Sequence, residues 1–211
     1  LAERGKQILA DAKAVLCAND GIRLHLKKQE YPIKQSFTLR NAVDFSEYLK
    51  LEKKQARKYL QETGLELPQD FLFVGRGPFS ENALQFLLKA FAETRNVQLA
   101  VANHFREDWD ALVGEHKLEG RIHGFIQLPE EQERALVAAG DTFVCPAWEE
   151  NSEAAIVQGL AAGCPVILPY SYERKKNFPP DIALFFTENE VEALTKTMRY
   201  VFRNTHNYPN W

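Results

Sequence analysis

The chain has 211 residues, 45% of them hydrophobic, and a formal net charge of −3. That apolar content is enough for one or two packed domains, and the slight acidic balance gives no support to nucleic-acid binding, which favours a basic face. No apolar run reaches the roughly 20 residues that span a bilayer, and Leu1-Ala-Glu-Arg4 lacks the pattern of a signal peptide.

In chain order, residues 1–42 carry a βαβ-like pattern: a strand over 12–18, a short helix over 20–28 and a second strand over 36–39. Residues 46–63 place Tyr48, Leu49, Leu51, Tyr59 and Leu60 at helical spacing. They predict one amphipathic helix, stopped near Gly64. From Phe71 onward apolar runs alternate with amphipathic stretches. Strands are predicted over 71–74, 98–102, 121–125, 142–145, 165–168 and 183–186. Helices are predicted over 81–94, 108–116, 130–139, 152–162 and 190–202. Such alternation predicts an α/β fold, a Rossmann-like sheet of six parallel strands with helices on both faces. Ligands bind such sheets at the C-terminal ends of the strands.

The stretch over 143–168, FVCPAWEENSEAAIVQGLAAGCPVIL, carries the densest signal. A short apolar strand closes at Pro146. Asn151 or Ser152 can cap the helix that follows, Gly163 ends it, and 165–168 starts the next buried strand. A strand feeding a helix N-terminus is a ready anion site, because unpaired backbone N–H groups point there and the helix dipole favours negative charge. Glu150 sits at the mouth of that helix. Gln158 lies about two turns further on, a rise of roughly 12 Å. A ligand with an anionic middle and hydroxyl-bearing ends spans that distance.

These residues resemble the sugar-nucleotide site of retaining glycosyltransferases with the GT-B fold, the family that includes glycogen and sucrose synthases. Its signature is a strand, a Pro, a Glu, seven residues, a second Glu, then Ala-x-Ala-x-Gly-x-Pro-Val. Here Pro146 and Glu150 match, Gln158 stands for the second Glu, and Gly159-Leu-Ala-Ala-Gly-Cys-Pro-Val166 follows. Glu153 replaces a small residue near the phosphate-contacting turn. Gly75-Arg76 match the family's "fvGR" at a strand end, and Asn82 falls where a Lys is expected. Arg121-Ile-His-Gly-Phe-Ile-Gln127 matches the segment whose backbone bonds the base, so Phe125, Ile126 and Gln127 are base-pocket candidates; core packing is an equal reading of Phe125. His123 reads as a packed histidine. Leu39-Arg-Asn-Ala-Val-Asp44 resembles the family's interdomain linker.

The resemblance implies a division into residues 1–45, the tail of an N-terminal acceptor-side domain with its linker, and residues 46–211, the nucleotide-sugar-binding domain. Leu1 then reads as the start of a piece cut from a longer polypeptide. It implies transfer of a sugar from a nucleotide diphosphate to a glycan, lipid-linked or small-molecule acceptor with retention, in concert with the missing N-terminal domain. Arg76 would stabilise the leaving phosphate, Glu150 would orient the sugar and Gln158 would bind ribose. Gly75, Asn82, Asn151, Ser152 and Glu153 would line the donor site. No cofactor and no metal is implied, the nucleotide-sugar being substrate. Two alternatives stand beside this reading: a degenerate, non-catalytic GT-B module used for protein contact, and a sugar-nucleotide epimerase of the same fold.

Cys17, Cys145 and Cys164 lack metal-ligand spacing and read as small core residues. They agree with a reducing cytoplasm, with a peripheral place at the membrane left open. Arg174, Lys175 and Lys176 follow the fifth strand of the sheet, where a solvated charged loop is expected.

Overall fold

The computed structural model describes residues 2–18, 20–48, 51–77, 79–103, 107–146 and 152–204. The chain divides into two compact units, Leu1–Ala42 and Val43–Trp211.

The first unit holds α1 (Ala2–Asp11), β1 (Val15–Cys17), α2 (Asp20–Lys28) and β2 (Ser36–Thr38). The two strands pair in parallel, Leu16 opposite Phe37, as the βαβ pattern predicts, though each strand is shorter than expected. The helix α1 is not foreseen in the sequence reading. Asp20 opens α2 and accepts a 2.6 Å bond from Thr38 Oγ1. That bond, helped by Arg23 and Arg40, holds the Asp20 carboxyl below its ordinary value. The register partners Leu16 and Phe37 are 63% and 52% exposed.

The second unit begins with a 3-10 turn at Phe45–Glu47 and α3 (Lys53–Glu62). There follow β3 (Leu72–Arg76), α4 (Glu81–Ala92), β4 (Gln98–Ala102), α5 (Trp109–Glu115), β5 (Ile122–Phe125) and α6 (Glu130–Ala139). The chain continues through β6 (Thr142–Val144), α7 (Ser152–Ala161), β7 (Val166–Pro169), α8 (Tyr172–Asn177), β8 (Ala183–Phe186) and α9 (Val191–Asn204). All six strands β3 to β8 are parallel, in the order β5-β4-β3-β6-β7-β8.

Strands covered on both faces read as continuous apolar runs, and their side chains alternate between two cores. In β3, Leu72 and Val74 join a core with Leu60 of α3, Leu136 of α6 and Ile156 of α7. Phe73 faces the opposite core, with Leu87 and Phe91 of α4, Leu112 of α5 and Met198 of α9. The helices therefore cover both faces, as predicted.

The single helix expected over 46–63 is corrected. Asp44 accepts from Ser46 N at 3.0 Å and starts a separate 3-10 turn. Glu52 then lies extended, with ψ 143°, and α3 begins only at Lys53. The turn is held to α6 by Arg134, which reaches Glu47 at 2.7 Å. On the other side, Arg57 donates to the Pro68 carbonyl at 2.6 Å and the Ala139 carbonyl at 3.2 Å. It anchors α3 at the N-terminal edge of the sheet, opposite the ligand end.

Candidate functional site

The strand order reverses between β3 and β6. The chain steps from β3 outward to β4 and β5, then returns to the other side of β3 for β6, β7 and β8. In an open parallel sheet the helices on either side of that point run to opposite faces. A crevice opens there beyond the C-terminal strand ends.

Arg76 closes β3 at this point. Two glycines let the backbone pass. A Cβ on Gly75 would meet the Phe79 ring at 3.2 Å, and one on Gly77 would meet the Asn103 carbonyl oxygen at 2.8 Å. The Gly77 N–H donates to Ala102 O at 2.8 Å, keeping the loop against β4. The Arg76 Nε donates to Glu133 Oε1. Glu133, in the first turn of α6, is 8% exposed. Its other oxygen accepts from Asn103 Nδ2 at 2.5 Å. Asn103 follows β4 with φ +54°, a left-handed conformation that Asn tolerates. One carboxylate thus ties the ends of β3 and β4 to the start of α6. The position near the positive end of α6 favours its charge.

Tyr48 lies within the field of these groups and is 5% exposed. Burial raises its phenol above the ordinary value, with Arg134 and Arg76 pulling it back and Glu133 adding to the rise.

On the other side of the switch, β6 leads to α7, which begins at Ser152. Glu153 is buried in its first turn, 6% exposed. Gln158 is half-buried, and its Oε1 is enclosed with no hydrogen-bond partner. A buried acceptor without a donor costs about 1–3 kcal/mol, and a ligand hydroxyl would satisfy it. Helix α7 lies close on the sheet, since a Cβ on Gly159 would meet Phe143 Cγ at 2.8 Å.

The remaining sequence candidates are spread along the same edge. Phe125 ends β5 and packs on the core beneath. Ile126 is 59% exposed, and Gln127 has φ +49°. These three lie two strand spacings from Arg76, about 10 Å. Asn82 is exposed in the first turn of α4, whose N-cap is Ser80, with Oγ accepting from Ala83 N at 3.3 Å. Glu150 and Asn151 lie outside the described residues. The structure therefore brings Arg76 and the α7 residues to adjacent strands and sets Phe125 to Gln127 further along.

The expected charged loop after β7 is corrected. Residues Tyr172–Asn177 form α8, capped by Ser171 Oγ, which accepts from Arg174 N at 3.1 Å. Arg174 is buried and donates to the Pro169 carbonyl at 2.8 Å, while Lys175 and Lys176 stay exposed. Desolvation lowers the Arg174 pKa from its ordinary value, with Glu188 opposing.

His123 packs in β5 beside Gln98, its Nε2 3.1 Å from the amide. With the amide NH2 turned toward it, Gln98 donates one hydrogen to Nε2 and shares the other between the Gly120 and Arg121 carbonyls, each at 3.2 Å. Burial lowers the imidazole pKa below its ordinary value. The three cysteines are buried thiols outside any disulfide, and burial pushes the Cys164 thiol up to about 12. Among the described residues no group of His, Cys, Asp and Glu could hold a metal ion. No helix among them is long and apolar enough to cross a membrane.

Glu133, Asn103 and Tyr48 escape a reading of the sequence. Glu133 is one of several acidic residues at the start of α6, and nothing in their order marks the one that turns inward.

A Rossmann-like half of the GT-B architecture accounts for this strand order and for the crevice between β3 and β6. The chain belongs to the family Glycosyl transferases group 1, whose model matches residues 68–204. No curated protein sequence matches it. Among solved structures it is similar to sucrose-phosphate synthase (tll1590) from Thermosynechococcus elongatus, with TM-score 0.82 and 18% identity, over 98% of this chain and 53% of that one. It is also similar to Alr3699/HepE from Anabaena, solved in complex with UDP and glucose, with TM-score 0.77 and 15% identity, over 99% of this chain and 60% of that one. A third likeness is to the C-terminal domain of a glycosyl transferase group 1 family protein (LpcC) from Francisella tularensis. There the TM-score is 0.58 and the identity 16%, over 78% of this chain and 90% of that one. The chain thus spans little more than half the length of the first two.

Proposed function

We propose that this chain is the donor-binding half of a retaining glycosyltransferase, which moves a sugar from a nucleoside diphosphate to an acceptor. The carrying observation is the place of Arg76, at the end of β3 beside the strand that leads into α7, where the sheet order reverses. A guanidinium and a helix N-terminus on adjacent strands suit a pyrophosphate.

In this reading Arg76 stabilises the phosphate as the sugar leaves, since a positioned cation counts most where charge develops. Glu150 orients the sugar. Gln158 offers its unfilled Oε1 to a ribose hydroxyl. The backbone at Phe125, Ile126 and Gln127 meets the base, and Gly75, Asn82, Asn151, Ser152 and Glu153 border the donor. No metal or cofactor takes part. The acceptor, a glycan, a lipid-linked sugar or a small molecule, comes from a separate N-terminal domain, of which residues 1–45 are the tail. Catalysis between two domains means that this chain binds donor without turnover. A cytoplasmic enzyme, peripheral to the membrane where its acceptor is lipid-linked, fits the role. A second reading, a degenerate module kept for protein contact, is favoured by one observation: Arg76 already holds a buried carboxylate.

Calorimetric titration with UDP, GDP and ADP tests the first reading. Binding of at least one is expected. Arg76→Ala should weaken it by about 1.5–3 kcal/mol, the worth of a charge-assisted bond, and Gln158→Ala by about 0.5–1.5 kcal/mol. A folded chain that binds none of the three at millimolar concentration favours the degenerate module.

A further inference from the structure

We infer that Glu133 sets the charge of the phosphate site and so biases it toward the sugar ester over the free nucleoside diphosphate. The inference rests on the donor-binding reading above. Three observations carry it. Glu133 contacts the Arg76 guanidinium directly at Nε. It is buried, so water screens it little. Asn103 holds its second oxygen, so the carboxylate cannot swing away without losing two bonds.

The consequence follows from charge counting. A ligand phosphate that reaches Arg76 comes within several ångströms of a fixed negative charge. The carboxylate orients the guanidinium by one edge and at the same time subtracts from its attraction. A nucleoside diphosphate has an ionised terminal phosphate at neutral pH, because its second ionisation falls near 6, as for other phosphate monoesters. Its sugar ester has lost that ionisation and bears one negative charge less. Repulsion from Glu133 therefore weighs more on the free diphosphate. A donor site built this way gives up its product readily after the sugar has left. Glu133 acts through Arg76 and through space, as a positioning and charge-setting residue, with no contact to the reacting atoms required of it.

The test compares UDP with UDP-glucose, GDP with GDP-mannose and ADP with ADP-glucose by calorimetry, in the whole chain and in Glu133→Gln. Glutamine keeps the shape and an acceptor for Arg76 Nε, and the Asn103 amide can turn to match it. The expected result is tighter binding of both members of the pair, with the free diphosphate gaining about fivefold more than its ester, the scale of one partly screened charge at this range. Added salt should shrink that difference. A merely structural role for Glu133 would weaken both ligands alike and leave their ratio unmoved. Equal gains, equal losses or no change, with wild-type binding intact, overturn the inference and leave the donor-binding reading standing. Binding that appears only in the variant supports the inference in its strongest form. If neither protein binds any of the six ligands while both are folded, the donor-binding reading fails and this inference fails with it. Should Glu133→Gln not fold, Glu133→Ala is read by the same ratio and the same outcomes.

Discussion

At the residue scale, the ends of β3 and β4 and the start of α6 meet at one buried carboxylate, Glu133. Arg76 follows a Gly at the end of an apolar run, so its place at the C-terminal edge follows from local pattern alone. Its partner does not. Glu133 is separated from Arg76 by 57 positions and from Asn103 by 30, and only the closed fold brings the three together. His123 was readable as a packed residue because it alternates with Ile122 along a strand. Its environment yields a prediction. The folded pKa is depressed by burial, so below the unfolded value of about 6.5 the unfolded chain binds the proton more readily. Stability from keeping this imidazole neutral is fully present above that pH and is lost as the pH falls through the folded value. Melting temperatures between pH 7 and pH 5 should fall less steeply in His123→Gln than in the wild type. Parallel curves for the two proteins would show that His123 carries no such linkage.

At the element scale, the six strands of the sheet were legible because each is a short apolar run bounded by turn residues, and burial on both faces leaves no polar alternation to confuse them. Two helical segments depart from their sequence pattern for opposite reasons. Helical spacing over 46–63 was real in part, but Glu52 lies extended, and Asp44 diverts the first residues into a 3-10 turn. The basic run at 174–176 looked solvated, yet Arg174 is buried because Pro169 O gives it a bond and Glu188 lies 4.0 Å away. Patterns of polarity cannot separate a buried, partnered cation from an exposed one. Helix α7 packs closely on β6. Gly159 has no room for a Cβ against Phe143, and Phe143 is itself 1% exposed, with little freedom to retreat. Gly159→Ala should therefore destabilise the fold by about 1–3 kcal/mol, the usual cost of overpacking, against the gain of a few tenths to 1 kcal/mol that Ala brings to an open helix position. Urea unfolding measures it, and an unchanged or raised midpoint would show that the helix can slide outward without cost.

At the scale of the whole molecule, the two units differ in what each can support. The second has six strands and two cores. The first has a two-stranded sheet with Leu16, Phe37 and Leu39 more than half exposed, and a sheet of that size is marginal by itself. A polypeptide starting at Val43 should melt cooperatively with native-like circular dichroism, whereas residues 1–42 alone should give no cooperative transition. Loss of cooperativity in the longer piece would show that the first unit completes its fold. The strand order has a further consequence, for how the molecule is made. Strand β3 has one neighbour, β4, that follows it closely. Its other neighbour, β6, begins beside Asp141, whose carboxylate accepts from Leu72 N across 69 positions. At the roughly 5–20 residues per second of synthesis, the inner edge of β3 waits on the order of 4 to 14 s for its partner. During that interval one of the two central strands of the finished sheet is an unpaired edge, with open N–H and C=O groups that another nascent chain can meet. The strand that carries Arg76 to the candidate site is thus also one left as an open edge while the chain is being made.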